Sequence, residues 1–177
     1  GWHASDTGEL AFSDVFVPDE NLLGRENEGF KLIMANFQWE RLLMSLGAVG
    51  AMDWCLRTTI AYALEREAFG RPIGRFQAIR HKVAEMATKL AAGRAMSYSA
   101  LRLLADERDA LAEVTQAKLF TQRAAVEVAD EAVQIHGGYG YMREYHVERA
   151  LRDARLGPIG GGTDEIMKEI LGRGLGL

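Results

Sequence analysis

Apolar residues recur along most of this chain at three- and four-residue steps, the spacing that places them on one face of an α-helix. No proline interrupts this pattern between residues 28 and 65, which predicts a helix of roughly 55 Å. The same pattern predicts further helices over residues 76–105, 109–136, 144–153 and 163–171. Long helices joined by short breaks favour a mainly α fold, an antiparallel four-helix-type bundle.

The first 24 residues follow a different pattern. Leu10 and Phe12, and then Val15 and Val17, alternate with other residues, which predicts two short strands before a turn at Gly24. So short a segment cannot form a sheet domain by itself. We therefore interpret residues 1–24 as a β remnant at the end of a sheet domain, and residues 25–177 as a separate helical domain.

Composition excludes several classes of function. The formal net charge of −4 argues against a nucleic-acid partner. No apolar run is long enough to insert across a bilayer. The single cysteine, Cys55, cannot form an intrachain disulfide and suits a reducing compartment. We predict no metal site, because the sequence has neither a zinc spacing nor the Glu-x-x-His pairs of di-iron bundles.

Glu40 is the one acidic residue on the apolar stripe of the longest predicted helix, between Phe37 and Met44. We therefore expect it on the inward face of the bundle. A carboxylate there is costly unless it is paired or its pKa is raised. A raised pKa suits a general base, whereas an ion pair with an arginine of a neighbouring helix would be structural. Periodicity alone favours the ion pair.

Three glycine-rich breaks are candidate ligand sites. Arginines crowd "FGRPIGRF" at residues 69–76, which suits either an anion site or a solvated basic loop. "QIHGGYGY" at residues 134–141 allows close approach of a ligand, or simply ends a helix. "GGGTDE" at residues 160–165 precedes a helix with Thr163 as its N-cap, where outward backbone N–H groups favour a polarised oxygen.

These segments together resemble the acyl-CoA dehydrogenases over essentially the whole chain. "ASDTGELAFSDVFVPDENLLG" is similar to the end of their middle β-domain, and "REAFGRPIGRFQ", "QIHGGYGYMREY" and "GGGTDEIMKEILGRGLGL" are similar to their C-terminal helical domain. The resemblance implies a longer three-part flavoenzyme, a homodimer or homotetramer that holds FAD across a subunit interface. Its reaction removes the α-proton of an acyl-CoA and passes a hydride from the β-carbon to FAD N5, giving 2-enoyl-CoA.

The resemblance also implies roles for particular residues. Arg41, Gly161 and Gly162 match positions beside the acyl-CoA, whereas Gln38 replaces an acidic residue that contacts CoA in many members. Arg66 and the segment 134–138 are expected to serve different FAD molecules of an oligomer. The positions that match FAD contacts are Arg66, Phe69, Phe76, Gln77, Gln134, Ile135, His136, Gly137, Gly138, Thr163 and Glu165.

The catalytic base is the main departure from the commoner branch of the family, where it is a glutamate in a Tyr-Glu-Gly-Thr turn. Gly161 stands at that position here. The chain is closest to the isovaleryl- and long-chain-type branch, whose base lies in a Glu-Arg-Leu context, as Glu40 does in "WERL". The resemblance therefore implies Glu40 as the base, glycines that leave room for the thioester, and a backbone N–H of the turn that polarises its carbonyl.

Two other readings stay open at this point. The chain resembles a helical domain that could serve only oligomerisation or CoA binding, or a domain of an acyl-CoA oxidase. For the dehydrogenase, the resemblance implies an electron-transferring flavoprotein as acceptor. It implies the bacterial cytoplasm or the mitochondrial matrix as compartment, and we favour the bacterial cytoplasm.

Overall fold

The computed structural model describes residues 1–177 and consists mainly of five α-helices, which confirms the predicted fold class. Three long helices are joined by short connections, and two short helices follow them. Each predicted helix is present, with its ends displaced by no more than three residues. Their bounds are α1 Gly29–Glu65, α2 Gln77–Ala105, α3 Leu111–His136, α4 Val147–Ala154 and α5 Asp164–Gly174.

The only strands lie in the connection between α1 and α2, where β1 (Glu67–Ala68) pairs with β2 (Arg71–Pro72) in antiparallel register. The prediction of two strands within residues 1–24 is therefore wrong. The only regular element in that segment is a 3-10 turn at Asp19–Asn21. A strand needs a neighbour to receive its backbone hydrogen bonds. No element of this chain offers one, and Leu10 and Phe12 remain exposed.

The long helices alternate in direction. Near one end of the bundle, Leu42 of α1 packs with Ala100 of α2 and Val114 of α3. Near the other end, Tyr62 of α1 stacks on His136 of α3 at 4.1 Å between ring centroids. The starts of α1 and α3 therefore meet the end of α2, so α2 runs antiparallel to both. The short helices α4 and α5 pack mainly on α3 and complete the bundle.

The main core lies between α1, α2 and α3, with one residue of α4. Small side chains dominate it, so the helices approach closely. Cys55 is part of this core, and burial raises the pKa of its thiol to about 11. The thirteen members are Ala48, Val49, Met52, Cys55, Met86, Leu90, Ala124, Ala125, Val128, Ala129, Ala132, Ile135 and Val147.

The first three turns of α1 extend beyond the other helices. No residue of α1 before Arg41 is buried, and Phe30 and Ile33 are largely exposed. Glu40 is exposed as well, so the expectation that it faces inward is wrong for this chain. The stripe continues into the core through Ala48 and Cys55, but its N-terminal part has no partner helix here. The hydrophobic pattern of α1 predicts a buried face along its whole length, but no residue of this chain packs against the N-terminal part of that face.

Candidate active site

The glycine turn before α5 packs against the first half of α1. Gly161 and Gly162 have φ angles of +63° and +100°, a region that other residues rarely adopt. Met44 Sδ lies 2.5 Å from the position that a Cβ at residue 161 would take, and Met167 Cε lies 2.9 Å from that at residue 162. The backbone conformation therefore favours glycine at both positions, and a Cβ at either would require a methionine side chain to shift.

Two buried cations hold the carbonyl oxygens of this turn. Arg41 Nε donates to Gly161 O at 2.9 Å, and Lys118 Nζ donates to Gly162 O. The Arg41 side chain is also within cation–π distance of the Phe37 ring, with 5.5 Å from Cζ to the centroid. Burial lowers the pKa of both cations, since it disfavours their charged forms. A lysine that is 0% exposed is rare in a soluble protein unless it is paired.

The start of α5 carries the only buried carboxylate near these cations. Asp164 Oδ2 accepts a hydrogen bond from Arg123 Nε at 2.6 Å, while its Oδ1 has no partner. Thr163 is the N-cap, as predicted, and its hydroxyl accepts from Ile166 N. Glu165 is exposed, and hydrogen bonds from its own backbone N–H and from Thr163 lower its pKa. The turn is thus fixed from both sides.

Glu40 lies one helical turn before Met44, the residue that packs on the glycine turn. Residues four apart lie on the same face of a helix, so Glu40 flanks the turn on the open side of the bundle. Asn36 Nδ2 donates to Glu40 Oε1 at 3.2 Å. No arginine or lysine forms an ion pair with Glu40, so the structural ion pair favoured by periodicity is wrong in this chain.

The opposite end of the bundle presents arginines and aromatic rings around the β1–β2 hairpin. The Arg66 guanidinium lies 5.5 Å from the centroid of the Tyr139 ring, and that of Arg71 lies 4.3 Å from the Phe76 ring. Phe69 has a φ of +52°, is 95% exposed, and meets Phe76 edge to face. Exposed rings beside cations form a surface on which a planar, anionic ligand can stack.

The segment 134–138 reaches the same end from α3, and its residues divide into two groups. Ile135 and His136 are buried, and burial lowers the pKa of His136. Its Nδ1 bonds the Ala132 carbonyl oxygen at 2.7 Å, and its own carbonyl oxygen accepts from Tyr62. Gln134 and the two glycines are exposed. The structure therefore brings Arg66 and this segment together, through Tyr139, within a single chain.

These two regions lie far apart. From Met44, at the glycine turn, to Arg66 is 22 residues of one continuous helix, about 33 Å at the usual rise. One dinucleotide cannot contact both ends of the same bundle. The predicted site residues therefore form two groups, one around Glu40, Arg41, Gly161, Gly162, Thr163 and Glu165, and one around Arg66, Phe69, Phe76, Gln77, Gln134, Gly137 and Gly138.

The chain matches a known family. The family model of the acyl-CoA dehydrogenase C-terminal domain matches residues 27–176. The chain belongs to the acyl-CoA dehydrogenase family. The resemblance predicted from the sequence is thereby confirmed. Within the acyl-CoA dehydrogenase domain described here, no helix is long and apolar enough to cross a membrane.

Curated relatives and solved structures agree with the family. The chain is 43% identical over 99% of its length to an isovaleryl-CoA dehydrogenase of Oryza sativa, and 43% identical over 98% to a long-chain specific acyl-CoA dehydrogenase of Sus scrofa. It spans 43% and 40% of those proteins. An acyl-CoA dehydrogenase structure from Geobacillus kaustophilus matches 94% of the chain, and 44% of its own, with a TM-score of 0.91 and 40% identity. PigA with FAD and proline matches 94% of the chain, and 43% of its own, with a TM-score of 0.91 and 32% identity.

The residues of the second group fit a flavin nucleotide. No atom lies within 4 Å of the position that a Cβ would take at Gly137 or Gly138, and Gly137 has a φ of +61°. The backbone is therefore bare and accessible beside Arg66 and the exposed rings. Arg66 offers a charged donor for a pyrophosphate, and the exposed rings offer surfaces on which an aromatic ring system can stack.

Lys118 and Met44 are absent from the functional residues that the sequence predicts. Lys118 stands at a helical step between Val114 and Thr121, both buried, which is the same anomaly that singled out Glu40. That signal could have identified it. Met44 gives no such signal, since a methionine on an apolar stripe is ordinary core.

Proposed function

We propose that this domain is part of an enzyme that oxidises an acyl-CoA thioester to 2-enoyl-CoA with FAD as cofactor, and that Glu40 abstracts the α-proton. The observation that carries the proposal is the position of Glu40. Glu40 lies one helical turn before Met44, the residue that packs on the glycine turn, and on the same face of α1. A base must reach the proton that it abstracts in a plausible pose of the substrate. Glu40 is the only carboxylate of α1 within a helical turn of Met44.

The glycine turn orients the thioester in this proposal. Its backbone N–H groups donate to the thioester carbonyl and stabilise the negative charge that develops there when the α-proton leaves. Arg41 borders the turn and contributes positive charge beside the same region. FAD, when bound, supplies the hydride acceptor. Support for FAD comes from the exposed arginine, rings and bare glycine backbone of the second group, and from the similarity to PigA with FAD.

The distance between the two groups bears on assembly. We propose that the end carrying Arg66 and Gly137–Gly138 contacts the FAD of another copy, while the end carrying Thr163 contacts the FAD beside the chain's own substrate. This replaces the expectation that Arg66 and the segment 134–138 serve different FAD molecules, because Arg66 lies against Tyr139 in the same chain. A homodimer or a larger homo-oligomer follows from such sharing.

The test of the function uses the full-length enzyme that contains this domain. Acyl-CoA thioesters of different chain lengths are assayed with an artificial electron acceptor, and then with an electron-transferring flavoprotein. We expect reduction of the acceptor and formation of 2-enoyl-CoA with at least one acyl group. No turnover with any acyl-CoA, in a preparation that carries flavin, would contradict the function.

The test of the base is Glu40→Gln in the same enzyme. The amide keeps the size of the side chain and removes its basic oxygen, so turnover should fall at least about a hundredfold. FAD content and acyl-CoA binding should stay near wild type, since neither requires proton transfer. Glu85→Gln removes an exposed carboxylate of α2 and is the control. Near-normal turnover of Glu40→Gln would mean that the base lies elsewhere.

A further inference from the structure

Two cations donate to successive carbonyls of the glycine turn, and both are buried. Arg41 is 6% exposed and donates to Gly161 O, while Lys118 is 0% exposed and donates to Gly162 O. They come from different helices, α1 and α3, that converge at this point.

The charge of Lys118 is costly where it lies. A buried cation loses its hydration and is stable only with good partners. The nearest buried carboxylate, Asp164, is already paired with Arg123 through Oδ2. Burial is the main cause of the lowered pKa of Lys118; attraction by Asp164 opposes this shift, and repulsion by Arg41 adds to it. Replacing buried charges by neutral residues is often neutral or stabilising, so two cations on one turn point to a role besides stability.

Their effect on the turn follows from peptide geometry. In a planar trans peptide the C=O and N–H groups point in opposite directions, and this chain has no cis peptide bond. When Arg41 fixes the Gly161 carbonyl, it also aims the N–H of Gly162 away from the bundle. Lys118 does the same for the N–H of Thr163 through the Gly162 carbonyl.

The amides of the turn are free to bind a ligand. The N–H groups of Gly161, Gly162 and Thr163 form no hydrogen bond within the chain, and these residues are only half-buried. A cation on the carbonyl also polarises the peptide, which makes the N–H at its other end a stronger donor. Two such peptides in succession thus present strengthened donors on one side of the turn.

We propose that Lys118 and Arg41 are positioning residues that aim and polarise the backbone N–H groups of the glycine turn toward the oxygen of a bound ligand, the thioester carbonyl of the acyl-CoA. This inference rests on the proposed function. Neither side chain contacts the ligand; each acts through the peptide whose carbonyl it holds. A flavin oxygen has the same acceptor chemistry, and the experiment separates the two sources.

The experiment measures binding of two CoA derivatives to the FAD-loaded, full-length enzyme. One is a 2-enoyl-CoA, which has the thioester carbonyl. The other is an alkyl-CoA thioether of equal length, which lacks it. Lys118→Met should weaken binding of the enoyl-CoA by about threefold to tenfold, the scale of one lost hydrogen bond between a backbone N–H and the thioester carbonyl. Binding of the thioether should change less than about twofold, since it makes no such bond. FAD content should stay at the wild-type level.

Two further variants separate positioning from folding. Lys118→Arg keeps the charge and should recover most of the lost enoyl-CoA affinity. Lys168→Met removes an exposed lysine of α5 and should bind both ligands as the wild type does. If Lys118→Met does not fold, Lys118→Gln, which keeps a donor for the Gly162 carbonyl, takes its place, and a loss confined to the enoyl-CoA again supports the proposal.

The outcomes that overturn the proposal are distinct. Equal weakening of both ligands would mean that Lys118 only maintains the fold of the pocket. Unchanged binding of both would mean that it does not act on the turn. If Lys118→Met lost FAD but kept the wild-type ratio of enoyl-CoA to thioether affinity, the amides would donate to a flavin oxygen and not to the thioester carbonyl. If the wild-type enzyme bound neither CoA derivative, the proposed function itself would fail, whatever Lys118 does.

Discussion

Glu40, the proposed base, is exposed in this chain, although a general base works best where water is excluded. Nothing among residues 1–177 covers it, because α1 overhangs the bundle before Arg41. We infer that the environment of Glu40 is completed outside this domain, by substrate, flavin or other parts of the enzyme.

Arg66 gives the first prediction at the residue scale. In the full-length enzyme, Arg66→Ala should weaken FAD retention by about 1.5–3 kcal/mol, the scale of a hydrogen bond to a charged group. The measurement is flavin content after extensive dialysis. Arg102→Ala, which removes an exposed arginine near the C-terminal end of α2, is the control. Unaltered flavin content in Arg66→Ala would remove this residue from the FAD site.

His136 gives a prediction about pH. Burial lowers its pKa in the folded state, so the unfolded chain takes up a proton at a higher pH, about 6.5, than the folded chain does. The contribution of neutral His136 to stability is therefore present above about pH 6.5 and is lost as the pH falls through its lowered pKa. In urea unfolding, the stability difference between wild type and His136→Gln should shrink from pH 7.5 to pH 5.

The control for this effect is His81→Gln, which removes an exposed histidine near the start of α2. Its stability should follow that of the wild type across the same pH range. A difference between wild type and His136→Gln that stays constant with pH would show that His136 stabilises the domain only through packing on Tyr62 and its bond to the Ala132 carbonyl.

Among the elements, helices were predictable and tertiary contacts were not. A helix satisfies its own backbone hydrogen bonds, so local spacing and the breaks at Pro72 and Gly137 sufficed to locate it. A strand depends on hydrogen bonds to a neighbouring strand. The alternation at Leu10 and Phe12 therefore gave a wrong prediction, because this chain offers that segment no neighbouring strand. The contact of Lys118 with the glycine turn joins positions 44 residues apart, and helical periodicity carries no information about it.

The glycine turn gives the prediction at the element scale. Gly161→Ala places a side chain at a φ of +63° and against Met44 Sδ, so it should destabilise the domain by about 2–4 kcal/mol. Gly160→Ala is a matched control, because its φ is not positive and its nearest contacts would be at 3.6 Å. Urea unfolding of the two variants measures the difference.

Met44→Ala tests the cause. If crowding contributes, Gly161→Ala should cost less in the Met44→Ala background, with a coupling of about 0.5 kcal/mol or more. Purely additive effects would attribute the whole cost to the backbone conformation. Gly161→Glu would meet the same contact, so a glutamate at the base position of the commoner branch requires the Met44 side chain to move.

At the scale of the whole molecule, the surface is too large for a compact monomer. The chain exposes 12139 Å², whereas a folded monomer of 19.6 kDa exposes about 8,600 Å². Part of the excess comes from the overhanging start of α1 and from residues 1–24, where large apolar side chains are exposed. Contiguous exposed apolar surface often marks interaction sites. We infer that part of this surface is covered in the full-length protein.

The isolated 177-residue chain gives the last prediction. Its helices should fold cooperatively, because α1, α2 and α3 share a continuous core of thirteen buried residues. Its exposed apolar surface should make it associate, as light scattering would detect. It should not retain FAD through gel filtration, since each of its two candidate flavin-contacting ends supplies only part of a site. Circular dichroism and flavin absorbance measure these properties together. Stoichiometric, tightly bound FAD in the isolated chain would contradict the proposed sharing of the cofactor, because it would mean that a single domain holds a complete flavin site.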